Sequence, residues 1–503
     1  MKYRPLMILG SGSDVGKSVT VAGLCRIFRQ EGIRVAPFKA QNMALNSFNT
    51  PEGGEMGRAQ VVQAQAAGLA PHVDMNPILL KPSSEVGSQV IVHGRVYGNF
   101  SAQEYYRLKP RLARKVMESF RRLARVHDLI VLEGAGSAVE LNLKQNDLVN
   151  FNMAKKAGAA VILVADIDRG GVFAATIGSY HLLTAGERRL LSGFIINKFR
   201  GDPELFREGV AIIENRTRRP VLGVIPYLAD LALPEEDSVA LGRKCGAGSW
   251  SEPRCLRLGV VRLPHISNYT DFDPLEQEPG VSLRYLDHRD TFKDVDLLIL
   301  PGTKNTIGDL FYLKQTGLFQ QIRDYAAAGG LLLGICGGYQ ILGLEVRDPL
   351  GVEGAPRAEA GLGLLPVVTT MAGDKTTTQV RARAPGGGPE LEAYEIHLGI
   401  TEPQGGGSAA FNILHRNGQA VQVVDGWVSQ DRRVRGTYLH GLFDNDEFRR
   451  DFLSEMRRAA KTVEAVTSPE LSFRDFQEAQ LDRLADLLRR HLDIARIKAM
   501  IAK

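Results

Sequence analysis

Short, wholly apolar and β-branched runs recur along the chain, separated by amphipathic segments: LMILG (6–10), DLIVLEG (128–134), AAVILVAD (159–166), SGFIINK (192–198) and VLGVIP (221–226). Strands that read as unbroken hydrophobic runs are buried on both faces, and their alternation with helices predicts an open, doubly wound α/β domain. The pattern stops at Leu233–Arg254, LPEEDSVALGRKCGAGSWSEPR, where Gly, Ser, Pro and charge predict a linker. A second α/β series follows in LRLGVVRL (256–263), DLLILPG (296–302), GGLLLGIC (329–336) and RGTYLHGLF (435–443). Gly/Pro-rich stretches at 384–389 and 403–408 predict loops between strands. After about Asp446 the chain is charged with helical apolar spacing, which predicts a packed helical appendage. The expected division is thus a first domain at 1–232, a linker at 233–254, a second domain at 255–450 and a helical tail at 451–503. The basic segment RLKPRLARKVMESFRRLARVHD (107–128) also has apolar residues at helical spacing, so its charges read as a solvated face.

Composition narrows this picture. At 503 residues the chain exceeds one ordinary core. Hydrophobic content of 44% with 24% charged residues fits a globular protein. The net charge of +5, from 62 Lys+Arg against 57 Asp+Glu, is too mild to argue for nucleic acid, and suits an anionic small substrate only weakly. No run of about 18 apolar residues predicts a membrane span, and the N-terminal apolar run is too short for a secretory signal. Of the four cysteines, Cys25, Cys245, Cys255 and Cys336, none are at CxxC spacing, so neither a zinc knuckle nor a redox pair is expected. The expectation is a reducing, cytoplasmic setting. The sequence carries no signal for oligomeric state.

The first strand runs into GSGSDVGKSVTVAGLCRIF, a Gly-rich turn followed by an amphipathic helix. That context is what a phosphate loop requires. Gly10, Gly12 and Gly16 let backbone N–H groups approach phosphate oxygens, Lys17 neutralises the β/γ charge, and Ser18 offers a hydroxyl to Mg²⁺. Gly10 lies six residues before Gly16 instead of the strict five. This spacing, with an acidic residue two before the second Gly, resembles the dethiobiotin synthetase group of phosphate-loop ligases. Three further segments support the resemblance. Lys39 follows the second strand in RVAPFKAQNMALNS, or is a surface lysine. Glu133 ends a buried strand in VLEGAGS, at the carboxyl edge where a carboxylate reaches a metal. Asn197 and Lys198 end another strand in IINKFRGD, as a base-recognition turn or a simple cap. Switch ATPases of the partitioning type usually carry an extra lysine early in the loop; Ser11–Asp14 holds none.

In the second half, LLLGICGGYQILG sets Cys336 between a buried strand and a helix, with Gly334, Gly337 and Gly338 around it. This is the thiol version of a nucleophile elbow: the turn exposes the sulfur and the helix N-terminus favours its thiolate. His440 in GTYLHGLF is the candidate base, taking the thiol proton and returning it to the leaving ammonia. LILPGTKN supplies a strand end whose backbone N–H groups at Gly302 join that of Gly337 as an oxyanion hole. These pieces resemble class I glutamine amidotransferases. Such domains place Glu two residues after the histidine, where this chain has Leu442. A Cys–His dyad is therefore expected, with the role of Glu395 and His397 in AYEIHLG left open.

Long blocks carry a more specific resemblance. FKAQNMALNS, EMGRAQVVQAQAAG, NPILLKP, LEGAGS, NFNMA, ADIDRGGVFA, GFIINKFRGD, RLPHISNYTDFDPL, LPGTKNTIGDL and GICGGYQILG together resemble the cobyric acid synthases, a family of corrinoid amidases. The resemblance implies ATP·Mg²⁺- and glutamine-dependent amidation of the b, d, e and g carboxylates of adenosylcobyrinic acid a,c-diamide, giving adenosylcobyric acid in cobalamin biosynthesis. It implies acyl phosphates, shielded ammonia, and a corrinoid polycarboxylate and glutamine as the molecules bound. Arg169 in DIDRGG is the candidate anchor for the acidic substrate, beside Asp166 and Asp168, with an internal salt bridge as the alternative. Two other readings stand: the sister enzyme cobyrinic acid a,c-diamide synthase, and a nucleotide-switched binding protein with an inactive glutaminase-like domain.

Overall fold

A computed structural model describes residues 2–82, 87–228, 230–234, 250, 255–461 and 471–503. Of the expected linker at 233–254, all but Leu233, Pro234 and Trp250 lies outside the described residues. The chain forms two units. The first comprises Met1–Met43, Glu55–Pro234 and Asp475–Lys503; the second comprises Ala44–Gly54 and Glu235–Arg474.

The first unit is built on β1 (Leu6–Gly10), β2 (Val35–Phe38), β3 (Leu129–Glu133), β4 (Ala160–Asp166), β5 (Leu191–Phe199) and β6 (Val221–Pro226). They pair in the order β6-β5-β4-β1-β3-β2, all parallel. The fully buried runs of β1, β3 and β4 form its centre, as continuous apolar sequence demands. The strand order reverses at β1, so Gly10, Glu133, Asp166 and Asn197 converge at the carboxyl edge, where such sheets bind ligands. Beside it, Asn42–Met43, Ile78–Pro82, Gly87–Val92 and Arg95–Ser101 form a small second sheet.

The second unit holds β7 (Leu256–Val261), β8 (Val281–Leu286), β9 (Leu297–Leu300), β10 (Leu331–Ile335), β11 (Val367–Arg383), β12 (Glu390–Pro403), β13 (Trp427–Val428), β14 (Val434–Thr437) and β15 (Leu439–His440). One sheet runs β8-β7-β9-β10-β14-β13, parallel except at its last pair. A second, largely antiparallel sheet contains β11, β12 and β15. The run at 435–443 is thus divided between two sheets. The Asp425 carboxylate accepts from the Thr437 hydroxyl and from the Tyr438 N–H (3.1 Å), which draws the chain out of the first sheet. At Gly441 it turns again, with φ 75°.

The expected tail at 451–503 is not one appendage. Helix Asp446–Ala460 buries Phe452, Leu453 and Met456 in the core of the second unit. Residues Asp475–Lys503 instead complete the first unit, with Leu481, Leu484 and Leu488 in its core. Buried Arg26 meets Glu478 and Asp482 there, each at 2.7 Å. Gly23 has no room for a Cβ because Leu488 occupies the space. Helix Ala102–Val126 buries Tyr105, Leu112, Val116 and Phe120 and leaves its basic residues outward except for half-buried Lys109. Among the described residues no helix is long and apolar enough to cross a membrane.

Candidate functional sites

The phosphate loop leads from β1 into helix Lys17–Gln30. Gly16 has φ 96°, and the Asn197 carboxamide fills the space a Cβ would need, so only glycine fits. Lys17 is buried, its Nζ donating to the carbonyls of Gly12 (2.7 Å) and Gly136 (3.0 Å). At the end of β3, Glu133 is 1% exposed. It accepts from Ser18 Oγ and Lys39 Nζ, both at 2.8 Å, and from the Gln63 carboxamide. Burial alone would push the Glu133 carboxyl up; the Lys39 ammonium, aided by Gln63 and Ser18, outweighs this and holds it below its ordinary range. Lys39 is therefore no surface lysine.

The strand-end turn at Asn197–Lys198 braces the loop. Asn197 Nδ2 donates to the Val15 carbonyl (2.8 Å); Lys198 reaches Asp166 (2.9 Å) and the Asp14 carbonyl. Arg169 is 61% exposed and lies 3.4 Å from Asp14 and 4.0 Å from Asp166, while Asp168 pairs with Arg200 at 2.5 Å. Arg169 thus lies beside two carboxylates while its guanidinium stays exposed, and Asp166 and Asp168 already face cations.

In the second unit, Cys336 has φ 53° and ψ −109°, a conformation L-residues rarely adopt, between β10 and helix Gly337–Leu342. A Cβ on Gly338 would overlap the Leu300 carbonyl, and one on Gly337 would strike Thr303. These glycines let the elbow press against the end of β9, where Gly302 lies; a Cβ on Gly302 would stand 3.3 Å from His440 Cε1. Cys336 Sγ contacts the Ile396 carbonyl at 3.5 Å.

His440 is 1% exposed, and its Nδ1 donates to Asp271 Oδ2 at 2.6 Å. The other Asp271 oxygen accepts from the Gly441 N–H at 3.0 Å, so the carboxylate is fixed at both ends. The Nε2 atom is buried without a hydrogen-bond partner. Burial would lower the His440 pKa; the Asp271 carboxylate outweighs it, the neighbouring Cys336 adds to the rise, and the pKa is pushed up to about 10. The Tyr394 ring stacks on the imidazole, with centroids 5.3 Å apart and planes at 20°.

The expected dyad is thus a three-residue line, Cys336–His440–Asp271. Leu442 is buried in an apolar cluster with Leu439 and Phe411, and the acid comes instead from the turn after β7. Asp271 stands inside the block RLPHISNYTDFDPL, yet nothing in linear spacing ties it to a histidine 169 residues away. Glu395 takes Arg416 (2.9 Å) and Thr378 (2.7 Å), and His397 stacks on Tyr438 at 3.8 Å, so neither supports His440. Cys25 and Cys255 are both buried.

Residues 6–240 match the CobQ/CobB/MinD/ParA nucleotide binding domain family, and residues 257–448 match the CobB/CobQ-like glutamine amidotransferase domain family. The chain is 54% identical to a cobyric acid synthase of Syntrophobacter fumaroxidans, with 99% of each chain covered. It is 48% identical to the enzyme of the same name from Moorella thermoacetica, covering 99% of this chain and 97% of that one. It is also 48% identical to the one from Streptococcus sanguinis, with 99% of both covered.

Proposed function

Since this chain belongs to the cobyric acid synthase family, a group of glutamine-dependent amide ligases of cobalamin biosynthesis, we propose that it amidates the b, d, e and g carboxylates of adenosylcobyrinic acid a,c-diamide. One ATP and one glutamine are consumed per amide. The observation that carries this reading is the pairing, on one chain, of a phosphate loop ending at Ser18–Glu133–Lys39 with the Cys336–His440–Asp271 line.

Glutamine hydrolysis begins with the Cys336 proton held on His440 Nε2, as the sulfur attacks the side-chain carboxamide carbon. Backbone N–H groups at Gly302 and Gly337 stabilise the oxyanion. His440 returns the proton to the departing ammonia, and water releases glutamate from the thioester. Asp271 fixes Nδ1 as the donor to its carboxylate, so that Nε2 faces away from Asp271, and stabilises the imidazolium.

In the other unit, a corrinoid carboxylate attacks the γ-phosphorus of ATP and ADP leaves. Ammonia then attacks the acyl phosphate carbon and phosphate leaves. The carboxylate needs this activation because oxide is a poor leaving group. Lys17, now on the Gly12 and Gly136 carbonyls, would turn to the β/γ-phosphates, and the base would lie along the Asn197–Lys198 turn. The hydroxyl of Ser18 and the carboxylate of Glu133, 2.8 Å apart, are hard oxygen donors that suit Mg²⁺. That ion would neutralise phosphate charge. Arg169, with its exposed guanidinium, is the candidate to meet a corrinoid carboxylate. Ammonia has to reach the acyl phosphate before solvent protonates it. The ordered Cys336–His440–Asp271 line favours a working glutaminase over an inactive one.

Mass spectrometry after incubation with the a,c-diamide, glutamine and ATP·Mg²⁺ tests the substrate. Four successive exchanges of O for NH are expected. An unchanged diamide, together with conversion of the unamidated acid, would assign the chain to the sister reaction. Cys336→Ala is expected to abolish product from glutamine while product from high ammonium persists.

A further inference from the structure

Residues Ala44–Gly54 sit early in the sequence, between stretches of the first unit, yet they belong to the second. Their ends continue directly into Met43 and Glu55, and Lys39, which holds Glu133, stands just ahead of them. The segment is closed on itself. Thr50 donates its N–H to the Gly54 carbonyl (2.7 Å), and its hydroxyl accepts from the Gly54 N–H (3.0 Å). A loop tied this way keeps its shape.

Three consecutive residues of the segment grip the surroundings of His440. The Ser47 N–H donates to Asn268 Oδ1 at 3.0 Å. Asn268, left-handed with φ 53°, opens the short helix Tyr269–Phe272, and its carbonyl accepts the Asp271 N–H at 3.0 Å. Ser47 therefore holds the turn that aims Asp271. The Phe48 ring packs on Tyr394 with centroids 5.0 Å apart, and Tyr394 stacks on His440. The Asn49 carbonyl accepts from the Gln379 carboxamide. Gln379, Tyr394 and His440 form one register row across β11, β12 and β15, so their side chains share a face.

We propose that Ser47–Asn49 is a positioning element for the glutaminase histidine, holding His440 through the Asp271 turn on one side and the Tyr394 ring on the other. Phe48 is the central positioning residue. Because the chain runs without interruption from Lys39 into this segment, a shift of the nucleotide-side sequence is transmitted to His440. Glutamine hydrolysis is thereby tied to occupancy of the ligase site. This proposal rests on the assignment of Cys336 and His440 made above.

The test uses full-length Phe48→Ala, Phe48→Tyr and Cys336→Ala. Glutamine hydrolysis is followed with and without ATP and corrinoid, and amidation is driven separately by ammonium. Phe48→Ala should lower kcat for glutamine hydrolysis by about tenfold or more, since small displacements of a catalytic group are costly. It should leave KM for glutamine near the parent value, move the alkaline limb of the pH profile to lower pH, and abolish stimulation by ATP and corrinoid. Ammonium-driven amidation should persist, and Phe48→Tyr should restore the parent behaviour. Unchanged kcat and stimulation in Phe48→Ala, beside an inactive Cys336→Ala, overturn the proposal alone. An equal loss of both activities also overturns it, as the mark of a general structural role. Glutamine hydrolysis surviving in Cys336→Ala overturns the glutaminase assignment and this proposal with it.

Discussion

A buried histidine beside a buried carboxylate keeps its proton far into the alkaline range, and His440 does so because Asp271 outweighs the cost of burial. The imidazolium is then the natural counter-charge for a Cys336 thiolate. Asp271→Asn removes that charge while keeping the shape. We predict a fall in kcat for glutamine hydrolysis of about 10²–10⁴-fold, the range seen when a triad acid is neutralised, with the alkaline limb moved to lower pH. Steady-state rates across pH 6 to 11 would check this, and a profile superimposable on the parent's would refute it. The same group predicts a stability effect. Its pKa is higher folded than unfolded, so its contribution is complete below 6.5 and is lost as pH rises toward about 10. Thermal melts of Asp271→Asn should therefore show a shallower alkaline decline than the parent. Cys336 was legible in sequence because a strand, a strained turn and a helix are contiguous there. Asp271 was not: its pairing with His440 exists only once two turns distant in sequence meet, and the local position that should have held the acid carries Leu442, turned into an apolar cluster by Gly441.

At the level of elements, the parallel strands could be read from their unbroken apolar runs, and the Gly/Pro-rich loops at 384–389 and 403–408 marked where β11 ends and β12 lies, but not the full extent of β11 or its antiparallel pairing. The half-exposed, Thr-rich run VVTTMAGDKTTTQVRAR of β11 lacks the continuous burial that marks a central strand. The last helices show the opposite limit. Helix Phe473–His491 advertises an amphipathic face, but amphipathicity does not say which core that face covers. The contact is specific: Leu488 fills the space above Gly23, and Leu484 is wholly buried. Leu484→Ala should cost the first unit about 2–5 kcal/mol, the usual range for emptying such a site. Urea denaturation followed by nucleotide binding should register the loss, while the glutaminase, whose residues lie in the other unit, should retain its activity at low urea. Nucleotide binding that resists urea as well as the parent's, beside an earlier loss of glutaminase activity, would contradict the assignment of this helix to the first core.

For the whole molecule, the two chemistries sit in separate units of one chain, and their products must meet. Ammonia released from glutamine is nucleophilic only until it takes up a proton, and near neutral pH the solvent supplies one readily. If ammonia is used within the chain that makes it, two half-active chains cannot rescue each other. Lys17→Ala should lose amidation from either nitrogen source, because the charge it supplies to the transferring phosphoryl is gone. Cys336→Ala should lose only glutamine. An equimolar mixture of the two, given glutamine, ATP·Mg²⁺ and corrinoid at neutral pH in ammonium-free buffer, should form product at a small fraction of the parent rate. Raising the pH increases the unprotonated fraction of released ammonia, so the mixture should recover progressively while the parent gains little. Liquid chromatography of the amidated corrinoids would follow both. A mixture as fast as the parent at neutral pH would show that ammonia passes freely through solvent or between chains, because in that mixture no single chain carries both intact centres.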